Sequence, residues 1–262
     1  GPAKLVVSRL STQKAGHFDV PVDDVSFTVR TGEIFGVAGV AGNGQNALLD
    51  ALSGEIRSHD AHAITIDGYP LGLLDTTGRR KRGLCAVPEE RNGHAAVGDF
   101  TLSDNSVLTA RDRLGMVVMG LINSGAARTY TGKVIADFAV KALGPASTAG
   151  SLSGGNLQKY IMGREILQKP SVLVVSQPTW GVDAGAAAAI HQALVDLAAA
   201  GSAIVVISQD LDELRTLCDT LAVINMGRLS PARPVAEISV EEIGLLMGGV
   251  HGLTEAQDAI PA

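Results

Sequence analysis

Apolar residues gather in short unbroken runs along the chain, and helical patterns separate these runs. The runs predict buried strands at 33–39, 63–67, 83–87, 171–175, 203–208 and 220–224. Most of them show no alternation, which is typical of a parallel sheet covered on both faces. Apolar residues at one-turn spacing predict helices over 157–167 and 186–200. Strands that alternate with helices indicate an α/β domain with a mostly parallel core sheet.

Two regions depart from this pattern. Residues 4–30 alternate in polarity, as in "VDDVSFTVR", and predict antiparallel strands at the edge of the core. Residues 99–150 lack strand-like runs and carry two amphipathic helical candidates, 103–113 and 131–143, so a helical insertion is predicted there. Near the end, Ser239 and Glu242 form a capping-box pattern that opens a last helix.

These patterns predict one domain over residues 4–250. Residues 1–3 are expected to be the scar of a cleaved tag, and residues 251–262 a flexible tail. The chain of 262 residues is 46% hydrophobic and carries a net charge of −6, which argues against nucleic acid as a partner. No stretch reaches the roughly 18 uncharged apolar residues of a membrane span.

A glycine-rich segment, "GVAGVAGNGQN" at 36–46, joins the first buried strand to a helical pattern. Backbone N–H groups at a helix start, together with the helix dipole, favour a bound anion. Gly42, Gly44 and Ala47 fit the dinucleotide pattern G-x-G-x-x-A, with Asp67 placed to bind a ribose. A tight turn without any ligand is a second interpretation.

The same segment also fits a P-loop. Gly39 and Gly44 hold the G-x-x-x-x-G frame, but Gln45 and Asn46 stand where Lys and Ser or Thr are expected. Neither pattern decides the question alone, because each is short. Other segments of the chain have to separate the three interpretations.

Three later segments add a fixed order of polar turns. "SLSGGNLQK" (151–159) places a hydroxyl and two glycines directly before a helix, which offers a second phosphate-facing surface. "KPSVLVVSQPTWGVD" (169–183) and "AIVVISQDLDEL" (203–214) are buried strands that each end in a polar turn.

This order resembles the nucleotide-binding domain of ABC transporters from about residue 4 to residue 250. "LSGGN" resembles the signature motif, "SVLVVSQPTWGVD" resembles Walker B followed by the D-loop, and "VVISQDLDE" resembles the switch region. "CAVPEERNG" (85–93) falls at the Q-loop, and the insertion 99–150 matches the subdomain that contacts membrane subunits. The dinucleotide interpretation does not account for these motifs.

The match is narrower still. "GVAGNGQ", "VPEER", "LSGGNLQK", "QPTWGVDAGA" and "ISQDLDEL" together resemble the second, C-terminal ATP-binding domain of importers for simple sugars and nucleosides. In that family one polypeptide carries two such domains in tandem. The resemblance therefore implies that this chain is a piece of a longer protein.

The resemblance assigns roles to three groups of residues. It implies nucleotide contacts for Gly39, Gly42, Asn43, Gly44, Gln45, Asn46 and Glu89, the last near the usual Q-loop Gln. It implies that Ser153, Gly154, Gly155 and Asn156 cover ATP bound by a partner domain. It makes Asp183 the D-loop aspartate, although this residue also fits a helix cap.

Five positions depart from a working ATPase. Gln45 replaces the Lys that would contact phosphate, and Asn46 replaces the hydroxyl that would hold Mg²⁺. Ser176 stands at the Walker B Asp, Gln177 at the general-base Glu and Gln209 at the switch His. An amide accepts no proton, so no confident catalytic or metal-binding residue is predicted. The chain's own site is expected to bind nucleotide weakly or to hold it without hydrolysis.

These expectations define a partner and a place. The cofactor is ATP, with Mg²⁺ supported mainly by the partner domain's site. The partners are a second ABC nucleotide-binding domain, in the same full-length polypeptide, and transmembrane permease subunits. The expected location is cytoplasmic, peripheral to the inner face of the membrane. Two alternatives stay open: a nucleotide-free structural or dimerisation module, and a soluble ABC ATPase not linked to transport.

Several side chains receive ordinary interpretations. His17 and Phe18 lie where the family places an adenine-stacking aromatic, but an ordinary loop is favoured. Trp180 is predicted to pack or to contact another domain. His94 and His191 have no partners at metal-binding spacing and are assigned to surface or core positions. The acidic run "DLDEL" (210–214) is interpreted as the charged start of a helix.

Overall fold

A computed structural model describes residues 1–14 and 20–249 of the chain. The candidate aromatic pair His17 and Phe18 and the predicted tail 251–262 lie outside these described residues. The strands, in chain order, are β1 (Ala3–Leu10), β2 (Val25–Arg30), β3 (Ile34–Ala38), β4 (Ile64–Ile66), β5 (Tyr69–Pro70), β6 (Leu84–Val87), β7 (Val117–Val118), β8 (Leu121–Ile122), β9 (Val172–Ser176), β10 (Ala203–Ser208), β11 (Thr220–Asn225), β12 (Arg228–Leu229) and β13 (Arg233–Pro234).

The helices lie between these strands and after them. They are α1 (Gln45–Ser53), α2 (Thr76–Lys81), α3 (Leu102–Ala110), α4 (Ser124–Asp137), α5 (Gly154–Ile166), α6 (Ala184–Ala199), α7 (Leu211–Leu217) and α8 (Val240–Met247). Within the described residues, none of these helices has the length and apolar character needed to cross a membrane.

The core sheet is mostly parallel, as the unbroken apolar runs predict. Its strand order is β12-β11-β3-β10-β9-β6, with β13 paired to β11. The pairs from β11 through β3, β10 and β9 to β6 are parallel. Every residue of β3, β9 and β10 is buried, because packed layers cover both faces of the sheet.

The two faces of the core sheet have different cover. One face, with Val175 and Ile204, packs against α5 and α6, including Ile161 and Ile190. The other face packs against α1 and against the strands β1 and β2. Since the five strands from β11 to β6 run parallel, their carboxyl ends meet at one edge of the sheet, which is where ligands bind in such folds.

A smaller antiparallel sheet has the order β2-β1-β4-β5. It confirms the antiparallel edge predicted for residues 4–30. The placement of 63–67 among the covered parallel strands is wrong, because β4 pairs antiparallel with β1 through Leu5 and Ile66. In this short strand Ile64 and Ile66 are buried while Thr65 is half-buried, which suits a sheet with only one packed face.

The insertion at 99–150 is helical, but the expectation that it lacks strands is wrong. It contains the hairpin of β7 and β8, whose turn residues Met119 and Gly120 both have positive φ, as two-residue hairpins require. The second helix begins earlier than predicted, because the Asn123 side chain caps it by accepting a hydrogen bond from the Ala126 N–H. It ends at Asp137 rather than at 143, shortly before Ala139 adopts a positive φ.

The chain ends of the described part are held by the fold. β1 begins at Ala3, inside the segment expected to be a tag scar, and the Thr31 N–H donates to the Pro2 carbonyl at 2.9 Å. At the other end, Ser239 and Glu242 form the predicted capping box at the start of α8.

Candidate functional site

Four loops meet at the carboxyl edge of the parallel strands. They follow β3, β6, β9 and β10, and together they enclose a small cavity of about 50 Å³. The structure therefore brings these four turns to one place. The cavity is lined by Ala41, Gly42, Gln45, Asn46, Glu89, Ser176, Gln177, Ile207, Ser208 and Gln209.

The glycine loop joins β3 to α1 and has the backbone of an anion cradle. Gly42 and Gly44 have φ values of 83° and 106°, which residues with a Cβ rarely adopt. Gly44 is the residue before the first turn of α1, and a Cβ there would lie 3.0 Å from Gly227 Cα. The loop conformation therefore depends on glycine at these two positions.

The side chain of Gln45 closes this loop on itself. Its Oε1 accepts a hydrogen bond from the Asn43 N–H at 2.9 Å, and its Nε2 donates to the Val40 carbonyl at 2.7 Å. Gln45 is buried, and a Cβ on Gly39 would lie only 2.8 Å from its Nε2. A loop N–H that would otherwise face a phosphate is thus already bound to the chain's own amide. We call this pair of bonds the Gln45 staple.

Asn43 also contributes a side chain that turns away from the loop interior. Its Oδ1 accepts from the Met226 N–H at 3.0 Å, and its Nδ2 donates to the Val40 carbonyl at 3.0 Å. The Asn43 carbonyl accepts from the Gly227 N–H. The Asn43 side chain therefore anchors the loop to the β11–β12 turn.

The charge around the loop does not suit a triphosphate. A second cavity of about 240 Å³ adjoins α1 and is lined by Gln13, Val20, Pro21, Gly42, Gly44, Gln45, Asn46, Ala47, Asp50 and Ile56. None of the described residues that line either cavity is Lys, Arg or His. The charged residues are Glu89 in the small cavity and Asp50 in the larger one. Backbone N–H groups and the helix dipole remain as attractive elements, but a Mg²⁺-bound triphosphate finds neither cation nor metal carboxylate at the predicted positions.

Gln177, the predicted counterpart of the general-base Glu, is held in place by the fold. It is buried, has a φ of 51°, and its N–H donates to the Ile207 carbonyl at 2.8 Å. Its Oε1 lies 3.2 Å from Ser208 Oγ, the hydroxyl of the neighbouring strand end. Gln209, the residue after Ser208, is exposed and lines the small cavity. These contacts fix the amide without providing a proton acceptor.

A buried carboxylate, that of Glu213, lies behind Gln177, although the acidic run predicts only a charged helix start there. Asp210 caps α7 as the acidic run predicts, but Glu213 turns inward and is buried. It accepts hydrogen bonds from Ser208 Oγ at 2.7 Å and from Thr179 Oγ1 at 2.5 Å, and it lies 3.0 Å from His191 Nε2. Burial alone would raise the pKa of Glu213, but these hydrogen bonds outweigh it and lower the pKa.

The signature segment forms a separate, open surface. Ser153 caps α5, with its Oγ accepting from the Asn156 side chain at 2.9 Å, and Asn156 Oδ1 accepts from the Lys141 N–H at 2.9 Å. Gly155 packs close to the D-loop turn, where a Cβ would lie 3.2 Å from the Gly181 carbonyl oxygen. None of these residues lines the two cavities around the glycine loop.

The D-loop turn ends beside this surface. Asp183 caps α6 by accepting from the Ala186 N–H at 2.9 Å, and this hydrogen bond is the main cause that lowers the pKa of its exposed carboxyl. Trp180 is 62% exposed and borders a wide cleft between the glycine loop and residues 88–94. A tryptophan exposed in this way suits the predicted contact with another domain better than core packing.

The two histidines have carboxylate neighbours that their sequence spacing does not reveal. His191 faces Glu213, and His94 Nε2 lies 2.8 Å from Glu55 Oε1. Asp50, Glu55 and His94 bring ligand-type atoms within 4.8 Å of one another. Partly exposed acidic groups often converge without an ion, so the absence of a metal site stays a prediction.

Comparison with known proteins identifies relatives of similar sequence. The family model described as ABC transporter matches residues 22–180. The chain is 36% identical over 228 residues to the guanosine import ATP-binding protein NupO of Bacillus subtilis, covering 87% of this chain and 44% of the relative. It is 37% identical over 232 residues to the glucose import ATP-binding protein TsgD13 of Haloferax volcanii, with coverages of 87% and 42%. The xylose import ATP-binding protein XylG of Ralstonia nicotianae is 36% identical over 209 residues, with coverages of 79% and 40%.

The chain thus spans less than half the length of these relatives. Solved structures of lower identity have the same fold. The ATP binding subunit of an ABC transporter superimposes with a TM-score of 0.72 at 21% identity, covering 94% of this chain and 99% of the other. A nucleotide-free ATP-binding cassette gives 0.70 at 19% identity, with coverages of 94% and 95%. Since the family model covers more than half of the sequence, the chain belongs to the ABC transporter family.

Proposed function

We propose that this chain is the second, C-terminal ATP-binding domain of an importer for simple sugars or nucleosides. Its relatives are named as import ATP-binding proteins for guanosine, glucose and xylose. The chain matches less than half of each, which supports a tandem protein with another cassette in the same polypeptide. Transmembrane permease subunits are the further partners, and the protein lies in the cytoplasm, peripheral to the inner face of the membrane.

In this proposal the chain's own site is degenerate and its signature segment serves the partner. The main support is the contrast between the two surfaces. None of the described residues that line the two cavities at the glycine loop is Lys, Arg or His, and the Gln45 staple already occupies a loop N–H. At the start of α5, Ser153, Gly154 and Gly155 are intact and outside the chain's own cavities. ATP is hydrolysed at the partner's Walker motifs, which also provide most of the support for Mg²⁺.

Two measurements test this function. The isolated chain is expected to show no appreciable Mg²⁺-dependent ATP turnover, and hydrolysis that Gln177→Ala abolishes would contradict the degenerate site. In the full two-domain protein, Ser153→Ala and Gly154→Asp are expected to lower turnover strongly, while Gln177→Ala leaves it near the wild-type level. Wild-type turnover in both signature variants would show that the segment does not assist the partner.

A nucleotide-free module is the second candidate, and the Gln45 staple favours it. A loop that satisfies its own N–H group needs no ligand to keep its shape. Calorimetric titration of the isolated chain with ATP and ADP separates the two candidates. Weak binding supports the degenerate nucleotide site, and no heat up to millimolar nucleotide supports the structural module.

A further inference from the structure

The loop at residues 88–98 borders the small cavity and contacts the segment after α1, the insertion, α5 and the D-loop turn. We call it the bridging loop. It follows β6 and begins beside the chain's own site, where Glu89 lines the small cavity. Its turn is closed internally, because the Ala96 N–H donates to the Arg91 carbonyl at 2.8 Å and the Ala95 N–H donates to the Glu90 carbonyl at 3.0 Å. It is therefore a compact unit rather than an open connection.

One end of the bridging loop is tied to the glycine-loop helix. His94 Nε2 lies 2.8 and 2.9 Å from the two carboxylate oxygens of Glu55, just beyond the end of α1. The other end is tied to the insertion and to α5. The Asn105 side chain binds both the N–H and the carbonyl of Val97, and Arg164 Nη2 donates to the Ala95 carbonyl at 2.8 Å.

Arg91 extends from this unit to the signature segment. Its Nη1 donates to the Gly154 carbonyl at 2.7 Å, in the first turn of α5. The guanidinium also lies against the D-loop turn, since a Cβ on Gly181 would come within 3.2 Å of Nη2. A Cβ on Gly154 would come equally close to Nη1. Two glycines thus leave room for one cation that contacts both segments facing the partner.

The chemistry of this contact favours a fixed geometry. Arginine keeps its charge at every physiological pH and offers several N–H donors in one plane, so it can hold a carbonyl and lie flat against two backbone turns. A hydrogen bond from a charged donor is about twice as strong as a neutral one. Among the described residues Arg91 forms no ion pair, and its guanidinium donates a hydrogen bond to the Gly154 carbonyl.

We infer that Arg91 is a positioning residue for the partner's reaction. It sets the placement of Gly154 and Gly181 relative to the bridging loop, which reaches the segment after α1 through His94 and the cavity at the glycine loop through Glu89. The degenerate site thereby influences catalysis at the other site without carrying out chemistry. This inference rests on the proposed function, because it requires that the signature segment completes a partner's site.

The test uses the full two-domain protein and measures kcat and KM for ATP. Arg91→Ala is expected to lower kcat about tenfold, the loss of one charge-assisted hydrogen bond. KM is expected to stay within about twofold, because nucleotide affinity resides in the partner's Walker motifs. Arg91→Lys keeps the charge and restores part of kcat. Arg57→Ala, at an exposed arginine that lines neither cavity and lies outside the insertion, is the matched control and leaves both constants unchanged.

A second readout uses the isolated chain and does not depend on any partner. Hydrogen–deuterium exchange in Arg91→Ala is expected to accelerate at 153–157 and 180–183 and to stay at the wild-type rate in β9. Faster exchange in β9 as well would mean general destabilisation and would overturn the positioning role. Unchanged exchange at both segments would overturn it too.

The signature variants separate failure of this inference from failure of the proposed function. If Gly154→Asp and Ser153→Ala lose turnover while Arg91→Ala keeps it, the proposed function stands and the role of Arg91 is wrong. If the signature variants keep wild-type turnover, the proposed function fails. A loss in Arg91→Ala alone then also overturns the inference, because the effect does not act through the signature segment.

Discussion

Helices α1 and α5 are built alike at one end and differently at the other. Each has a buried arginine at its C-terminal end. Arg79, from α2, donates to the Ala51 and Leu52 carbonyls at the end of α1, and Arg164, within the last turn of α5, pairs with Glu165 and donates to the Ala95 carbonyl. Each begins after a glycine-containing turn. The start of α1 is closed by the Gln45 staple, whereas the start of α5 is capped by Ser153 and stays open to a partner.

The difference between the two helix starts explains how, under the proposed function, one fold keeps the surface at α5 and loses the nucleotide site at α1. Buried arginine contacts hold the C-terminal ends of both helices, and the difference between the helices lies in the contacts at their first turns. Only the first side chain of α1 decides whether its N–H groups are available to a phosphate. Under the proposed function, the same core therefore supports a loop closed by its own amide and a signature segment open to the partner.

The largest loss of stability is expected when the buried ion pairs of Glu165, at the C-terminal end of α5, are removed. Glu165 is fully buried, and although burial alone would raise its pKa, the guanidinium groups of Arg80 and Arg164 lower it. Glu165→Gln leaves two buried cations without their counter-ion and is expected to reduce the free energy of unfolding by about 3–5 kcal/mol at pH 7. Urea denaturation measures this change. The exposed Glu237→Gln is the control and stays within about 0.5 kcal/mol.

The same variant has a defined pH dependence. Because the folded pKa of Glu165 lies below the unfolded value near 4.5, its contribution is fully present above that pH. It is lost as the pH falls through the lower folded pKa. The difference between wild type and Glu165→Gln is therefore expected to narrow below about pH 4.5. A constant difference down to pH 3 would show that the ionised carboxylate is not responsible.

The anchor of α1 is expected to have the next largest effect. Arg79 is fully buried and binds carbonyls of Ala51, Leu52, Gly72 and Leu74, and burial lowers its pKa to about 10. Arg79→Met leaves these acceptors unsatisfied and should reduce the free energy of unfolding by about 3 kcal/mol. Arg128→Met provides the exposed control. If both variants unfold at the same urea concentration, the buried arginine is not an anchor.

The first side chain of α1, Gln45, tests whether charge at the helix start decides nucleotide binding. Gln45→Lys introduces the missing cation and is expected to tighten ATP binding to the isolated chain about tenfold to hundredfold. Gln45→Met, which has similar length but no hydrogen bonds, isolates the staple and is expected to change affinity less. Isothermal titration measures both constants. Unchanged affinity in Gln45→Lys would mean that charge is not what this loop lacks.

The smallest expected effect concerns Ser153 in the isolated chain. Ser153→Ala removes the cap of α5 and is expected to cost about 1 kcal/mol of unfolding free energy. Ser153→Thr keeps the hydroxyl and should stay near the wild-type value. Thermal or urea unfolding distinguishes them. A loss of several kcal/mol would indicate that this residue supports the core and would make its turnover effect ambiguous.

Much of the core sheet is predictable from the sequence, because strands buried on both faces need unbroken apolar runs. An apolar run does not reveal which strand it pairs with, so the sequence pattern places β4 in the wrong sheet. The β7–β8 hairpin has strands too short to show a period. Its only signal is the Met119-Gly120 pair at the turn.

The candidate site is predictable in its positions but not in its contacts. The turns after parallel strands meet at one edge, so Gln45, Gln177 and Gln209 are brought together as expected. The inward turn of Glu213 depends on Ser208 and Thr179, which come from other segments. The Gln45 staple depends on a side-chain rotamer within the loop. No spacing rule in the sequence encodes either arrangement.

In the Gln45 staple, the chain's own amide competes with nucleotide in solution for the same loop N–H group. The amide is linked to the same loop that it binds, so its effective concentration is set by the chain and lies in the millimolar range or above for so short a connection. Nucleotide has to open this intramolecular contact before it binds, so its apparent affinity for the loop is lowered by the factor by which the closed loop is favoured over the open one. In the proposed pair of domains, changes in the cell's nucleotide level would then be followed mainly by the partner's site.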